Sequence, residues 1–566
     1  MFTYTYTTSP TETIRQDDDG DDVPAYISYY SFKSDANLLD FKQTAKHLSL
    51  FIMFFSRISL YSQQNNIINA MKKHLLLILT ASLYFCQVAY AQTNELPRST
   101  PEAEGVPSHA ISTLLDSLFS IPQTDIHSVM VMRHGKVIAE VYPEPFKAEY
   151  QHTLYSCSKT FVSAAVGLAV DANLLRVTDR VAAFFPESLP EEVSHELADM
   201  TVHDLLIMAS GIQPDGSLRE VNTYWLKPLL AKPVSTPGKI FKYDSLCTYM
   251  LSAIVQKVTG KTVLEYLQEK IFADLHINKV SWELSPEGII TGGWGLYLQP
   301  ESLAKMGQLL LQKGQWNGKQ LLSESWVSLM MTNHIDTGDG RNYGYQMWQA
   351  STDGAFRADG RFGQYIVVMP VQDMVVVITQ CSNSPNPWVV SRVLAPVVKS
   401  NSIESGKDYQ ALQKKLSDYR YPTVPGKAKG NAIKRVAGKT FQLSDNQFGW
   451  KSLSITPNDK GMTVSITNDQ GIRSDLQAGF RQWCTTWTAA RPPYSMNAQQ
   501  KFKGIEGDFA VAASYGWTSG NTLRINLQYV NWISALDVTL KFNAETVDIT
   551  VHKNYEPDVP QFSGKW

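Results

Sequence analysis

The chain has 566 residues, with 51 Lys and Arg against 53 Asp and Glu and a formal net charge of −2. A near-balanced charge without a basic patch or stripe excludes the electrostatic footprint of a nucleic-acid binder. The length suggests two domains rather than one or four.

Residues 1–70 look unlike the rest. They hold the acidic patch Asp17-Asp18-Asp19-Gly20-Asp21-Asp22 and an apolar run at 48–55, too short and broken to span a bilayer, which needs about 20 apolar residues. From Met71 the pattern changes to Lys72-Lys73, an apolar middle and the exit Ala89-Tyr90-Ala91. A basic start, an apolar middle and a small-x-small exit make a signal peptide over 71–91, cut after Ala91. Signal peptides stand at chain starts, so translation is expected to begin at Met71, with 1–70 a disordered upstream extension. Cys86 follows Phe85, not a small residue, which argues against lipoprotein processing. The remaining chain, expected to be periplasmic or secreted, has no other run long enough to cross a membrane. It keeps Cys157, Cys247, Cys381 and Cys484. Their spacing fits no metal motif, and buried free thiols are the expectation.

Residues 97–400 read as one domain. Two β-rich runs, 127–133 and 136–142, flank His134-Gly135 as a hairpin. The apolar runs 363–370 and 374–379 form a second hairpin, continuous enough to be covered on both faces. Between them come helices: one after Ser156, one over 201–211 with Thr201 as N-cap and Gly211 as stop, and one over 249–258 ending at Gly260. Strands from both ends of the domain should join one sheet with helices over its faces, an α/β or α+β layered fold. Residues 401–435 read as a polar linker. In 436–566 apolar residues alternate with period two, as in Leu453/Ile455, Leu523/Ile525/Leu527 and Val547/Ile549/Val551, between turn signals such as Asn458-Asp459-Lys460-Gly461. This predicts an all-β domain of meandering antiparallel strands, a barrel or sandwich. Its tryptophans, Trp450, Trp483, Trp487, Trp517 and Trp532, read as core and rim packing.

The chemistry-bearing signal is Ser156-Cys157-Ser158-Lys159, opening the apolar stretch 160–170. Residues three apart on a helix share a face, so Ser156 and Lys159 should lie side by side. Burial disfavours the charged form of a lysine, and a neutral lysine can take the serine's proton. Downstream, Tyr243-Asp244-Ser245 supplies a second hydroxyl pair. With these motifs in this order, the chain resembles the serine β-lactamase and penicillin-binding-protein superfamily. Within it, the chain is similar to the class C-related hydrolases: esterases, D-aminopeptidases and 6-aminohexanoate-dimer hydrolases. The resemblance spans 97–395 and rests also on Pro237-Gly238 and Gly292-Gly293-Trp294-Gly295.

The resemblance implies an antiparallel sheet flanked by helices, with a helical subdomain. It implies Ser156 as the acylated nucleophile, Lys159 as its base, Tyr243 as the proton shuttle, and Ser245 as a hydroxyl toward Lys159 or substrate. The family's inner-strand motif falls on Arg357-Ala358-Asp359-Gly360-Arg361. Gly360 keeps the backbone open, the N–H of Arg361 becomes an oxyanion donor beside that of Ser156, and Ala358 stands where the family has a cation. That loss argues against efficient β-lactam hydrolysis. Arg357 or Arg361 could substitute, at most one pointing inward, and Asp359 could attract a substrate amine. The class A deacylation glutamate has no match, which leaves water activation to Tyr243 and Lys159. His152, His203, Asp179 and Asp204 read as structural. The expected protein is a serine hydrolase of small esters, amides or peptide-like substrates, with no metal or organic cofactor, no nucleic-acid partner and no membrane segment after signal removal. Its rivals are an acylating sensor and a silent scaffold whose β domain binds glycan or peptide.

Overall fold

Thr124–Arg133 and Lys136–Val141 form the expected first hairpin, with Arg133 opposite Lys136 and positive φ at His134 and Gly135 (49° and 73°). The computed structural model containing it describes residues 95–566 except 215, 217–223, 351–353 and 497–500. The extension 1–70 and the signal-peptide pattern 71–91 lie outside the described residues. The second hairpin is Gln364–Met369 with Met374–Ser382, and its outer strand pairs antiparallel with Thr124–Arg133, so the two ends of the domain share a sheet. Phe356–Gly360 extends the sheet next to Gln364–Met369, followed by three two-residue strands, all antiparallel.

Successive strand residues face opposite sides of a sheet. Here both sides are dry. Met130, Met132, Val375 and Val377 enter one core, and Val129, Val131, Val376 and Ile378 enter the other. The first core is built with helices Ser158–Asp171, Ser245–Thr259 and Pro300–Leu311. The second is covered by Ser108–Phe119, Val389–Leu394 and Leu412. Leu412 belongs to Lys407–Asp418, a helix inside the stretch read as a polar linker. Its apolar stripe is narrow, Tyr409, Leu412 and Leu416 at helical spacing among polar residues, and only Leu412 is buried.

Two helices differ from expectation. The 201–211 helix is only Val202–Leu206, opened by a reciprocal Thr201–Asp204 capping box. The chain leaves it at Met208 (φ 59°), and Gly211 lies in the following turn, where a Cβ would sit 1.7 Å from the Ser235 carbonyl oxygen. Ser245–Thr259 starts earlier than expected because the Asp244 carboxylate accepts from the Leu246 N–H at 2.9 Å. Gly260 (φ 69°) ends it as expected.

The C-terminal strands close into a barrel. Thr440–Leu443, Trp450–Asn458, Gly461–Asn468 and Arg473–Phe480 pair in succession on one side, and Phe509–Trp517, Thr522–Tyr529, Ala535–Phe542, Thr546–Lys553 and Gln561–Lys565 on the other. Gln561–Lys565 joins Thr440–Leu443, and Arg473–Phe480 joins Phe509–Trp517 in parallel. An odd ring of strands alternating in direction must contain one such parallel pair. Trp450, Trp517 and Trp532 are buried, whereas Trp487 is 55% exposed. The barrel core also takes in Tyr155, Tyr297 and Phe362 of the first domain.

Candidate active site

Ser156 sits in the 3-10 turn Tyr155–Cys157, one step ahead of the helix Ser158–Asp171. The serine is therefore presented at the helix mouth rather than inside its first turn. Tyr155 has φ 46°, a left-handed conformation that costs a non-glycine residue about 1–3 kcal/mol. It is held there by its hydroxyl's 2.7 Å hydrogen bond with Ser495 and by the rings of Phe362 and Trp532.

Lys159 is 1% exposed. Its Nζ donates to Ser156 Oγ at 2.9 Å, Ser245 Oγ at 3.0 Å and the Gly293 carbonyl at 2.6 Å. The glycine at 293 is required, because a Cβ would lie 2.6 Å from the Ser245 carbonyl oxygen and 2.7 Å from its Cβ. Ser245 heads its own helix, so two helix starts and a glycine loop converge on one amine.

The Tyr243 ring lies over Lys159, 4.9 Å from Nζ to centroid, and against Trp348 at 5.3 Å. Burial raises the Tyr243 phenol well above its ordinary pKa, and its hydrogen bond with Ser156 offsets only part of the rise. The residue is a neutral phenol at ordinary pH, able to give a proton.

The strand Phe356–Gly360 ends against the turn that carries Ser156. A Cβ on Gly360 would lie 2.3 Å from the Leu154 carbonyl oxygen, so only glycine permits this approach. Ala358, in the place of the family cation, is buried in the inner core. Arg357 is fully buried, and its Nε donates to Asp359 Oδ2 at 2.9 Å. Burial raises the Asp359 pKa, and Arg357 opposes that rise. The carboxylate proposed to attract an amine is thus already matched by a guanidinium. Arg361 is exposed just past the strand end and reaches the cleft.

The cleft measures roughly 390 Å³, and Ser156, Tyr243, Ser245, Asp359 and Arg361 line it. Lys159 lies beneath Ser156, and Gly360 stands at the edge. Sequence reasoning missed Tyr155, Trp294, Arg341, Trp348 and Met496, which complete the lining. Trp294 stands in the sequence only as part of a glycine-rich motif, and Tyr155 carries no signal of its own. Arg341 and Trp348 lie near or in two-residue strands, too short for a periodic signal. Met496 comes from the barrel and is adjacent only in space.

Residues 125–393 match the sequence profile of the family described as Beta-lactamase. This domain belongs to the β-lactamase family. A relative, the 6-aminohexanoate-dimer hydrolase of Paenarthrobacter ureafaciens, is 24% identical over 322 residues, 51% of this chain and 81% of the relative. Among solved structures, a penicillin-binding protein homologue from Caulobacter crescentus is 15% identical, with 51% of this chain and 96% of that chain covered and a TM-score of 0.44. The octameric penicillin-binding protein homologue from Pyrococcus abyssi is 15% identical, with 81% and 99% covered and a TM-score of 0.43.

In this β-lactamase-family serine hydrolase the histidines serve packing. His152 Nδ1 donates to the Thr153 carbonyl at 2.7 Å and its Nε2 meets His127 Nδ1 at 2.8 Å, which fixes its ring. Burial lowers its pKa to about 4. His203 meets the Tyr345 hydroxyl at 2.8 Å, and burial lowers its pKa too. Asp179 pairs with Arg176 at 2.9 Å. Cys157, Cys247, Cys381 and Cys484 are all free thiols. Burial raises Cys157, which donates to the Gln364 carbonyl at 3.1 Å and is unfit as a nucleophile despite adjoining Ser156.

Proposed function

We propose that this enzyme hydrolyses small esters or amides through an acyl-Ser156 intermediate. The observation that carries the reading is the 2.9 Å contact between Ser156 Oγ and Lys159 Nζ. The amine's three acceptors suit both of its protonation states. As an ammonium it donates to all three. As a neutral amine it keeps two N–H donors for Gly293 and Ser245 and turns its lone pair to the Ser156 hydroxyl. In acylation, Ser156 Oγ attacks the substrate carbonyl carbon while its proton passes to Lys159. The backbone N–H groups of Ser156 and Arg361 receive the oxyanion. Tyr243 gives its proton to the departing alkoxide or amine and regains one from Lys159. In deacylation the same pair takes a proton from water, whose oxygen attacks the acyl carbon, and Lys159 returns that proton to Ser156 Oγ as the ester bond breaks.

Ala358 supports a further part of the proposal, that β-lactams are poor substrates, since its methyl group offers a drug carboxylate no charge. The test is a panel of p-nitrophenyl esters, amino-acid amides, linear amide dimers and nitrocefin. Turnover of an ester or amide, abolished in Ser156→Ala and well above nitrocefin turnover, is expected. Nitrocefin as the best substrate, or ester turnover surviving Ser156→Ala, contradicts the reading. We also propose export, on the 71–91 pattern. The mature protein should begin at Gln92, and an intact 71–91 segment on protein recovered from its native cell would refute this.

A further inference from the structure

The barrel does more than flank the hydrolase domain. The loop between its strands Cys484–Thr488 and Phe509–Trp517 crosses to the other domain and is pinned at several points. The Pro493 carbonyl accepts from the Trp532 indole at 3.1 Å, which holds the loop to the barrel. The Tyr494 hydroxyl donates to Glu283 Oε2 at 2.6 Å, and Ser495 shares its 2.7 Å bond with Tyr155, the residue before Ser156. Further along, Lys503 Nζ donates to the Ser285 and Pro286 carbonyls at 3.0 and 2.9 Å. Glu283 also accepts from Tyr297 at 3.2 Å and from the Trp294 indole, which lines the cleft. The residue directly after Ser495 is Met496, which lines the cleft and packs against the cores of both domains.

Arg341 stacks on Trp348 at 4.6 Å and acts on Asp359. Trp294, Tyr155 and Met496 are tied together through the loop and give the cleft an apolar part, bordered by Arg361, which acts on Tyr155. We infer that Met496 is a specificity-determining residue, the barrel's contribution to the substrate pocket, and that it limits the apolar group an ester or amide substrate can carry beside Ser156. This rests on Ser156 being the acylated residue. A thioether on an unbranched chain fills such a wall without rigid shape. Removing it opens space at one side of the bound substrate, and one methylene in an apolar pocket changes discrimination about 10–200-fold.

The experiment uses the full chain with wild type, Met496→Ala, Met496→Trp and the near-isosteric Met496→Leu. Each is first titrated with a small fluorophosphonate to count active serines. No labelling of wild type means the acyl-serine reading has failed. With labelling in hand, kcat/KM is measured on p-nitrophenyl esters of rising acyl length and on acetate esters of rising alcohol size. In at least one series the long-to-short ratio should rise about tenfold or more in Met496→Ala and fall in Met496→Trp, with Met496→Leu near wild type. Ratios that stay within about twofold in both series for every labelled variant overturn the inference.

Discussion

At the residue scale, the proposed chemistry makes Ser156, Lys159 and Tyr243 one unit. Replacing Ser156 by Ala or Lys159 by Met should each lower kcat/KM about a thousandfold or more, and the double variant should be no worse, because members of such a unit fail together. Additive losses would argue for independent roles. Tyr243 is a neutral phenol whose pKa burial has raised. Tyr243→Phe should lower kcat about 10²–10⁴-fold, the usual worth of a positioned proton donor, with KM little changed. A loss confined to KM would make Tyr243 a binding residue. Most of this trio was legible in the sequence, since the chemistry needs particular residue types at short spacing. The match of Arg357 to Asp359 was not, because strand residues two apart share a face only once the strand is known.

At the scale of elements, the site depends on close approaches that side chains would block. The end of Phe356–Gly360 meets the Leu154 carbonyl, where a Cβ would lie at 2.3 Å. Gly360→Ala must push the strand away from Ser156, at about 1–3 kcal/mol of stability. Activity should fall more than the melting temperature suggests, and unchanged kcat/KM would show that the strand end is not part of the site. Glu283 gives a second prediction. Burial raises it from an ordinary 4.5 to about 7, despite the donors Tyr494, Tyr297 and Trp294. Between those values the folded protein keeps a proton that the unfolded chain has lost. The stability from protonated Glu283 is full below about pH 4.5 and lost as pH rises through about 7. Glu283→Gln removes the titration, so its Tm should gain on wild type from about pH 5 to about pH 8. Parallel Tm profiles would contradict it. The strands and hairpins were readable because continuous apolar runs require cover on both faces. The Lys407–Asp418 helix and the short 201–211 helix were not, since one hides a single buried residue and the other ends on Met208 rather than on a breaker.

At the scale of the molecule, the two folded parts share packing. Tyr155, Tyr297 and Phe362 enter the barrel core, and Tyr494, Ser495 and Met496 reach the hydrolase domain. Calorimetry should give one cooperative transition, and two well-separated ones would mean the shared core is weak. The sequence announced both domains by a change of period at the 401–435 stretch, yet carried no sign that the second lends Met496 to the first one's cleft. Contacts between distant segments leave no local pattern. The account's central claim is that Ser156 is made nucleophilic by Lys159. Peptide-level mass spectrometry after fluorophosphonate treatment tests it most directly. The label should fall on Ser156 in wild type, be absent in Ser156→Ala and form about a thousandfold more slowly in Lys159→Met. A label on another residue, or undiminished labelling without the lysine, would contradict the account.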